Sequence, residues 1–515
     1  MKISKNMINY RIFIPSLIII IIFSIPFALA EEKSLDVMNT IFDSIVANFK
    51  WGYIWYTLIL VAAGLFFSFT KYGKVVLGDP SQKPRFSLFE YTAILISMGL
   101  GSTVMRTAMV QWAEVAENPP NGVEAFSNEA MLWGNSYGMF MWSPQVFAIF
   151  VMAAPAIAYV VHVRKKPFLR LSEACRTIFG DKFTDGLGGI ILDVIFLVSI
   201  LAGAAVTLGL GTPIVTSVLG ELFNIEVTFK LTLVVTIIWV LAFSMSAYLG
   251  LEKGIKKLST FNIYLAGGLA LFILIAGPGV FILDYFTDSV GFLLSNYPEF
   301  SFYTNSLDLE GSTHIEGHMV FWFAYSATWA MLHSVFAAKV SEGRTIKEMI
   351  LTYFLGPTLI SWVATGVLGG LGVYSQLTSQ VDVQGLVAED EMAAIPAILN
   401  TLPFATIAII AFIIIATVFL ITTLDSTTYT IASYTGTQNM SKNEPSRALR
   451  LFVAAIITAF SLTLMQIGGL APLEVLSGVL GLPIIVIQFL TIFAAKKMMD
   501  EDEAWLTNIR ESDKK

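Results

Sequence analysis

The stretch from Ser97 to Pro120 carries Gly99, Gly101, Arg106, Gln111, Glu114 and Glu117 between long apolar runs. A charge at the centre of a bilayer costs roughly 2.5–3.5 kcal/mol on insertion scales, so such residues face a cavity or a partner inside a bundle. The stretch therefore reads as the helix beside a solute pathway. Gly99 and Gly101 let the backbone open and expose carbonyls to a cation, or let a neighbouring helix approach closely. Arg106 could fork onto a carboxylate or sulfonate, and Glu114 could attract an ammonium. Eight residues separate them, about 12 Å at a helical rise, too far for a direct pair on one straight helix. Each is therefore expected to find its own partner. A zwitterion supplies both, or Arg106 braces a buried acid such as Asp425.

Two aromatic stripes offer cation chemistry: Trp133, Tyr137, Trp142, Phe147 and Phe150, and then His318, Phe321, Trp322, Phe323, Tyr325 and Trp329. Ring faces attract quaternary ammonium groups; the same stripes also suit an interfacial belt or core packing. The run Phe419 to Tyr429 contains Thr422, Thr423, Asp425, Ser426, Thr427 and Thr428. Its hydroxyls and carbonyls could hold sodium, a hard cation that prefers oxygen, or bond back to their own helix.

These residues are positioned by an all-α membrane protein. The chain of 515 residues is 56% hydrophobic and 13% charged, about half the charged fraction of a soluble protein. A single Cys175 excludes a disulfide framework, and the net charge of −7 offers nothing to nucleic acid. Runs of about 20 apolar residues fall near 12–30, 51–70, 88–115, 133–161, 187–216, 229–249, 258–284, 318–338, 350–374, 403–433, 448–467 and 474–495. Twelve transmembrane helices are expected. The first run follows Lys2, Lys5 and Arg11 and ends Ala28-Leu29-Ala30, a pattern shared by a cleavable signal peptide and a first span. Lys and Arg collect in alternate loops, 71–85, 164–176, 253–257, 339–347 and 442–450, whereas the opposite loops are acidic. Basic loops face the cytoplasm, which puts the C-terminus there and the protein in the cell inner (plasma) membrane. The segment 285–300 reads as an external helix on the membrane surface.

Neither His-Glu-x-x-His nor Gly-x-Ser-x-Gly occurs, and His162, His314, His318 and His333 lack metal-ligand spacing. No channel filter is specified. An enzyme and a channel are both disfavoured against a carrier, and no cofactor is expected.

Five ordered motifs resemble the betaine/choline/carnitine transporter family over nearly the whole chain. They are Lys74 to Asp79 leading into Ser97 to Gly101 (SMGLG), Gly254 to Asn262 with Gly277-Pro278-Gly279, Phe321 to Trp329, Lys339 to Glu348, and Thr422 to Ser426. The resemblance implies an inverted five-helix-repeat (LeuT-like) core and alternating access. It divides the chain into two N-terminal helices (1–85), a first repeat (86–284), an external segment (285–317), a second repeat (318–497) and a cytoplasmic tail (498–515). It further implies a homotrimer that moves a small zwitterionic or cationic quaternary ammonium or sulfonium solute, such as glycine betaine, choline or carnitine.

By motif, the family's aromatic cage falls on Trp142, Phe147 and Phe150 and on Tyr325, Ser326 and Trp329. Ser326 stands where the family usually has tryptophan, so this cage is thinner. Arg106 and Glu114 stand where relatives have aromatic residues. The sodium site of sodium-driven members maps to Ser97, Leu100, Phe419, Thr422 and Thr423. Sodium-independent exchangers fill that space with a basic residue of the fifth helix; Asp193 to Thr216 contains none, which favours sodium as the coupling ion. The alternatives are a sodium-independent exchanger, or an importer of an amino-sulfonate or amino acid held by Arg106. The short, mixed-charge C-terminal segment does not resemble the basic tails of osmosensing relatives, so uptake without strong osmotic activation is expected.

Overall fold

The computed structural model describes residues 8–100, 103–167, 169–249, 256–306, 314–436, 445–468 and 471–510. Among them the chain is helical, with two isolated β-bridges, Ile8 to Gly436 and Val76 to Thr345. In chain order the first helices are α1 (Tyr10–Leu29), α2 (Glu31–Phe69), α3 (Leu88–Leu100), α4 (Thr103–Glu117), α5 (Asn128–Met141), α6 (Pro144–Val151) and α7 (Ala154–Ala158). There follow α8 (Leu171–Ala174), α9 (Arg176–Thr184), α10 (Leu187–Phe223), α11 (Phe229–Leu249), α12 (Lys256–Ala276), α13 (Gly279–Ser295) and α14 (Tyr297–Phe302). The last are α15 (His314–Val340), α16 (Ile346–Ala364), α17 (Gly370–Leu377), α18 (Val383–Leu399), α19 (Ala405–Thr435), α20 (Arg447–Gly468), α21 (Ala471–Glu501) and α22 (Ala504–Thr507).

Among the described residues, seven helical stretches are long and apolar enough to cross a bilayer, and the bent pair α3/α4 makes an eighth. The protein is a multi-pass membrane protein. The expected third span is not one helix: α3 and α4 meet at 58°, and the intervening Gly101 and Ser102 lie outside the described residues. The expected fourth span is interrupted at Trp142, where Ser143 caps α6 and Pro144 takes its first turn. Ser followed by Pro is a helix-start signature, legible in the sequence but hidden within an apolar run.

Two boundaries and one whole helix differ from the sequence reading. The seventh span ends at Ala276 rather than 284, because Gly277-Pro278 stops it and α13 begins at Gly279. The helix α2 starts at Glu31, well before the apolar run at 51. No helix was expected over α18, whose acidic run Glu389-Asp390-Glu391 disguises it; its backbone kinks at Asp390 (φ −154°, ψ 96°).

At the centre, α15 packs against α6, α7, α10 and α21, while α19 packs against α3, α10 and α12. The helices α4 and α5 touch backbone to backbone: a Cβ on Gly134 would lie 2.2 Å from the Trp112 carbonyl oxygen. The α19–α20 contact holds a dry ion pair, Arg450 to Asp425 at 2.6 Å with side chains 1% and 0% exposed. The guanidinium also lies over the Tyr429 ring, 5.2 Å from its centroid.

Several of the basic loops gather at one end. Leu77 N–H donates to Arg344 O at 2.7 Å and Val76 N–H to Asn508 O at 2.9 Å. Arg164 bonds Asp502 at 2.8 Å, and Lys71 lies 3.7 Å from Asp500. A shared end is what the alternating charge pattern requires of these loops.

Candidate functional site

The break between α5 and α6 places Trp142 on the bundle interior. Its indole N–H donates to Thr107 Oγ1 of α4 at 3.0 Å, which fixes the ring against the helix with the polar face. From α15, the Trp322 N–H donates to Met141 O at 2.8 Å, and the two indoles meet edge to face at 5.1 Å. Each tryptophan spends its one donor on protein and leaves ring surface to the space between them.

That space is a cavity of about 30 Å³. From α6 and the α5–α6 break it is lined by Trp142 and Phe150, and from α15 by Trp322, Tyr325, Ser326, Trp329 and His333. The broken third span contributes Met98, Gly99, Leu100 and Thr103; Thr207 of α10 and Thr423 of α19 complete the wall. One water needs roughly 10–15 Å³ measured in this way, so the cavity takes a water or two. A trimethylammonium head needs side chains, or the α3–α4 break, to move.

Five of the six expected cage residues therefore converge. Phe147 stands behind them, 6.2 Å from the Trp142 ring and 5.9 Å from Phe150. Of the oxygen set, Leu100 and Thr423 reach the cavity, and Thr423 Oγ1 donates to Ser97 O at 3.3 Å across the α3–α19 contact. Thr422 Oγ1 turns back to Val418 O at 2.9 Å and Phe419 O at 3.0 Å. The Ser97 and Ser426 hydroxyls are buried without a hydrogen-bond partner among the described residues.

Arg106 and Glu114 are not in the cavity wall. The guanidinium of Arg106 donates to both carboxylate oxygens of Glu391, on the kinked helix α18, and lies 3.5 Å from Glu114. The expectation that Arg106 and Glu114 could not meet is corrected. Both side chains are long and lean toward each other along α4, so side-chain reach closes most of the helical rise. Nor does Arg106 brace Asp425, which belongs to Arg450. Glu391 lies outside the membrane-spanning helices; burial pushes its carboxyl up to about 7, with Arg106 opposing and Glu114 adding to the rise.

Also on α4, Gln111 Nε2 lies 3.0 Å from His318 Nε2, and the Tyr137 hydroxyl lies 3.0 Å from His318 Nδ1. The His318 ring stacks on Trp322 at 5.9 Å.

Sequence reasoning named Trp322 only as one member of an aromatic stripe, and it did not put Thr103, Thr207 or His333 in the site. For the α15 residues a signal existed: 322, 325, 326, 329 and 333 fall on one face at helical spacing. Thr207 has none, being one threonine of an apolar helix.

A family sequence profile, described as BCCT, betaine/carnitine/choline family transporter, matches residues 11–504. The chain belongs to this transporter family. Members of the betaine/carnitine/choline family are transporters, and the cavity lies where this chain's cage and oxygen motifs meet. Among solved structures, a sialic acid symporter, described as "Substrate-bound outward-open state of a Na+-coupled sialic acid symporter reveals a novel Na+-site", aligns over 86% of each chain. The identity is 14% and the TM-score 0.44, a likeness that assigns nothing to this chain.

Proposed function

We propose that this family member imports a small zwitterionic or cationic quaternary ammonium or sulfonium solute, of the glycine betaine, choline or carnitine kind, by sodium-coupled alternating access. The observation that carries the reading is the convergence of Trp142, Phe150, Trp322, Tyr325 and Trp329 on one cavity beside the α3–α4 break. The indole N–H groups of Trp142 and Trp322 are occupied elsewhere, and ring faces so held suit a methylated cation, which offers no hydrogen-bond donor. The amino-acid or sulfonate alternative rested on Arg106, Glu114 and Ser326; the ion pairs of Arg106 with Glu114 and Glu391 weigh against a solute role for the first two.

Sodium is supported by the oxygens at the α3–α19 contact. The Ser97 carbonyl and Thr423 hydroxyl adjoin each other, and each oxygen keeps a lone pair beyond the bond between them. The charge pattern of the loops supports a cytoplasmic C-terminus in the plasma membrane, and the resemblance supports inverted five-helix repeats and a homotrimer.

Uptake into proteoliposomes decides it. A panel of glycine betaine, choline, carnitine, taurine and an amino acid, with and without a sodium gradient, is expected to give gradient-driven uptake of a methylated solute. Uptake of taurine or the amino acid alone overturns the solute class; uptake indifferent to sodium overturns the coupling.

A further inference from the structure

His333 belongs to neither the aromatic cage nor the oxygen set, yet it forms part of the cavity wall. Its ring stacks on Phe150 with centroids 4.2 Å apart and meets Trp329 edge-on at 5.7 Å. Its Nδ1 lies 2.5 Å from the Tyr353 hydroxyl. Neither His333 nor Tyr353 has a second hydrogen-bond partner among the described residues.

Counting protons assigns the tautomer from the hydrogen bonds. If Nδ1 carried the hydrogen and donated to Tyr353, the phenolic hydrogen would be buried without an acceptor, at a cost of roughly 1–3 kcal/mol. With Tyr353 donating to Nδ1, every donor at that contact is used, and the neutral imidazole carries its proton on Nε2. The Nε2–H is then a donor without an acceptor among the described residues, in a cavity wall that also contains the Trp329 indole, whose N–H is buried without a partner among them. Among the described residues, the same wall contains no Lys, Arg, Asp or Glu.

We propose that His333 binds the acid group of the solute: its Nε2–H donates to the carboxylate or sulfonate of a zwitterion whose cationic head lies on the Trp142, Trp322 and Tyr325 rings. This rests on the transporter reading above and transfers to His333 the acid-binding role that the sequence suggested for Arg106. A neutral donor is suited to a site that must also release its solute. An arginine fork would hold the acid through a desolvated ion pair, which is costly to form and to break.

The test compares solutes that share a cationic head and differ in the acid group. Proteoliposome uptake of glycine betaine is measured for the native chain, His333→Leu and His333→Gln, with tetramethylammonium as the competitor lacking an acid. His333→Leu is expected to raise the KM for betaine at least tenfold while moving the inhibitory concentration of tetramethylammonium less than twofold. His333→Gln, whose amide N–H reaches toward the place of Nε2–H, is expected to restore the KM to within about threefold. A thermal-shift titration with both compounds reads binding in any variant that folds but does not transport. Equal loss of betaine and tetramethylammonium, or an unchanged betaine KM in His333→Leu, overturns the assignment. If the native chain binds neither compound, the quaternary ammonium reading fails by itself. His333 is then judged on taurine against ethylamine, where equal loss of both again overturns it.

Discussion

Trp329 and Trp142 both line the cavity, and in the proposed function their rings would act on a cation through the quadrupole rather than through a charge. Replacing either by Ala removes one ring face. The expected result is a KM for the methylated solute raised roughly 5- to 30-fold, the equivalent of about 1–2 kcal/mol for a desolvated cation–π contact. Uptake titrations in proteoliposomes measure it, and an unchanged KM in Trp329→Ala would remove that ring from the solute site. Ser326 is the complementary case. It lines the cavity where the family usually carries a third indole, so Ser326→Trp tests whether this wall tolerates the family's fuller cage. Both side chains were readable as candidates from motif and spacing. Their facing across one space was not, because it depends on α5 and α6 parting at Ser143.

The contact between α4 and α18 is a matter of whole elements. One guanidinium, Arg106, is shared by two carboxylates, Glu114 and Glu391, so one negative charge is in excess. Glu391 titrates at about 7 in the folded protein against an ordinary 4.5. Between those values the folded state keeps a proton that the unfolded state has lost, so stability falls as pH rises through that window and levels above it. The loss is expected to be of order 1–2 kcal/mol, discounted for solvent screening of a partly exposed pair. Thermal unfolding in detergent at pH 5 and pH 8 reads it directly. Glu391→Gln is expected to flatten the difference; a slope that survives the substitution would place the titrating group elsewhere. The pairing was invisible along the chain because Glu391 lies 285 residues from Arg106, on a helix whose acidic composition resembled a loop.

At the scale of the whole molecule, the Arg450–Asp425 pair ties α20 to α19, the helix that also carries Thr423. With both side chains dry, removing one leaves the other charge buried and unpaired, which costs about 3–5 kcal/mol. Asp425→Ala or Arg450→Leu is therefore expected to give poorly folded protein. The double variant Asp425→Leu with Arg450→Met is expected to recover much of the melting temperature, since an apolar pair of similar volume avoids the desolvation penalty. Size-exclusion profiles and melting curves in detergent compare the three. If the double variant is as unstable as the singles, the pair contributes more than mutual neutralisation.

By itself the sequence determined the membrane class, the family, most of the apolar helices and most of the aromatic side chains that line the cavity. These follow from properties that accumulate locally: hydropathy over some twenty residues, loop charge, and short motifs. Only the tertiary structure decided which of those side chains share a cavity and which charges neutralise one another. Arg106, the most conspicuous residue in the chain, was drawn from the solute to Glu391, and His333, one histidine in an apolar helix, was set in the cavity wall. The reason is physical: a charge in an apolar interior takes the opposite charge that folding brings nearest, and that partner is chosen by packing across the bundle rather than by spacing along a helix.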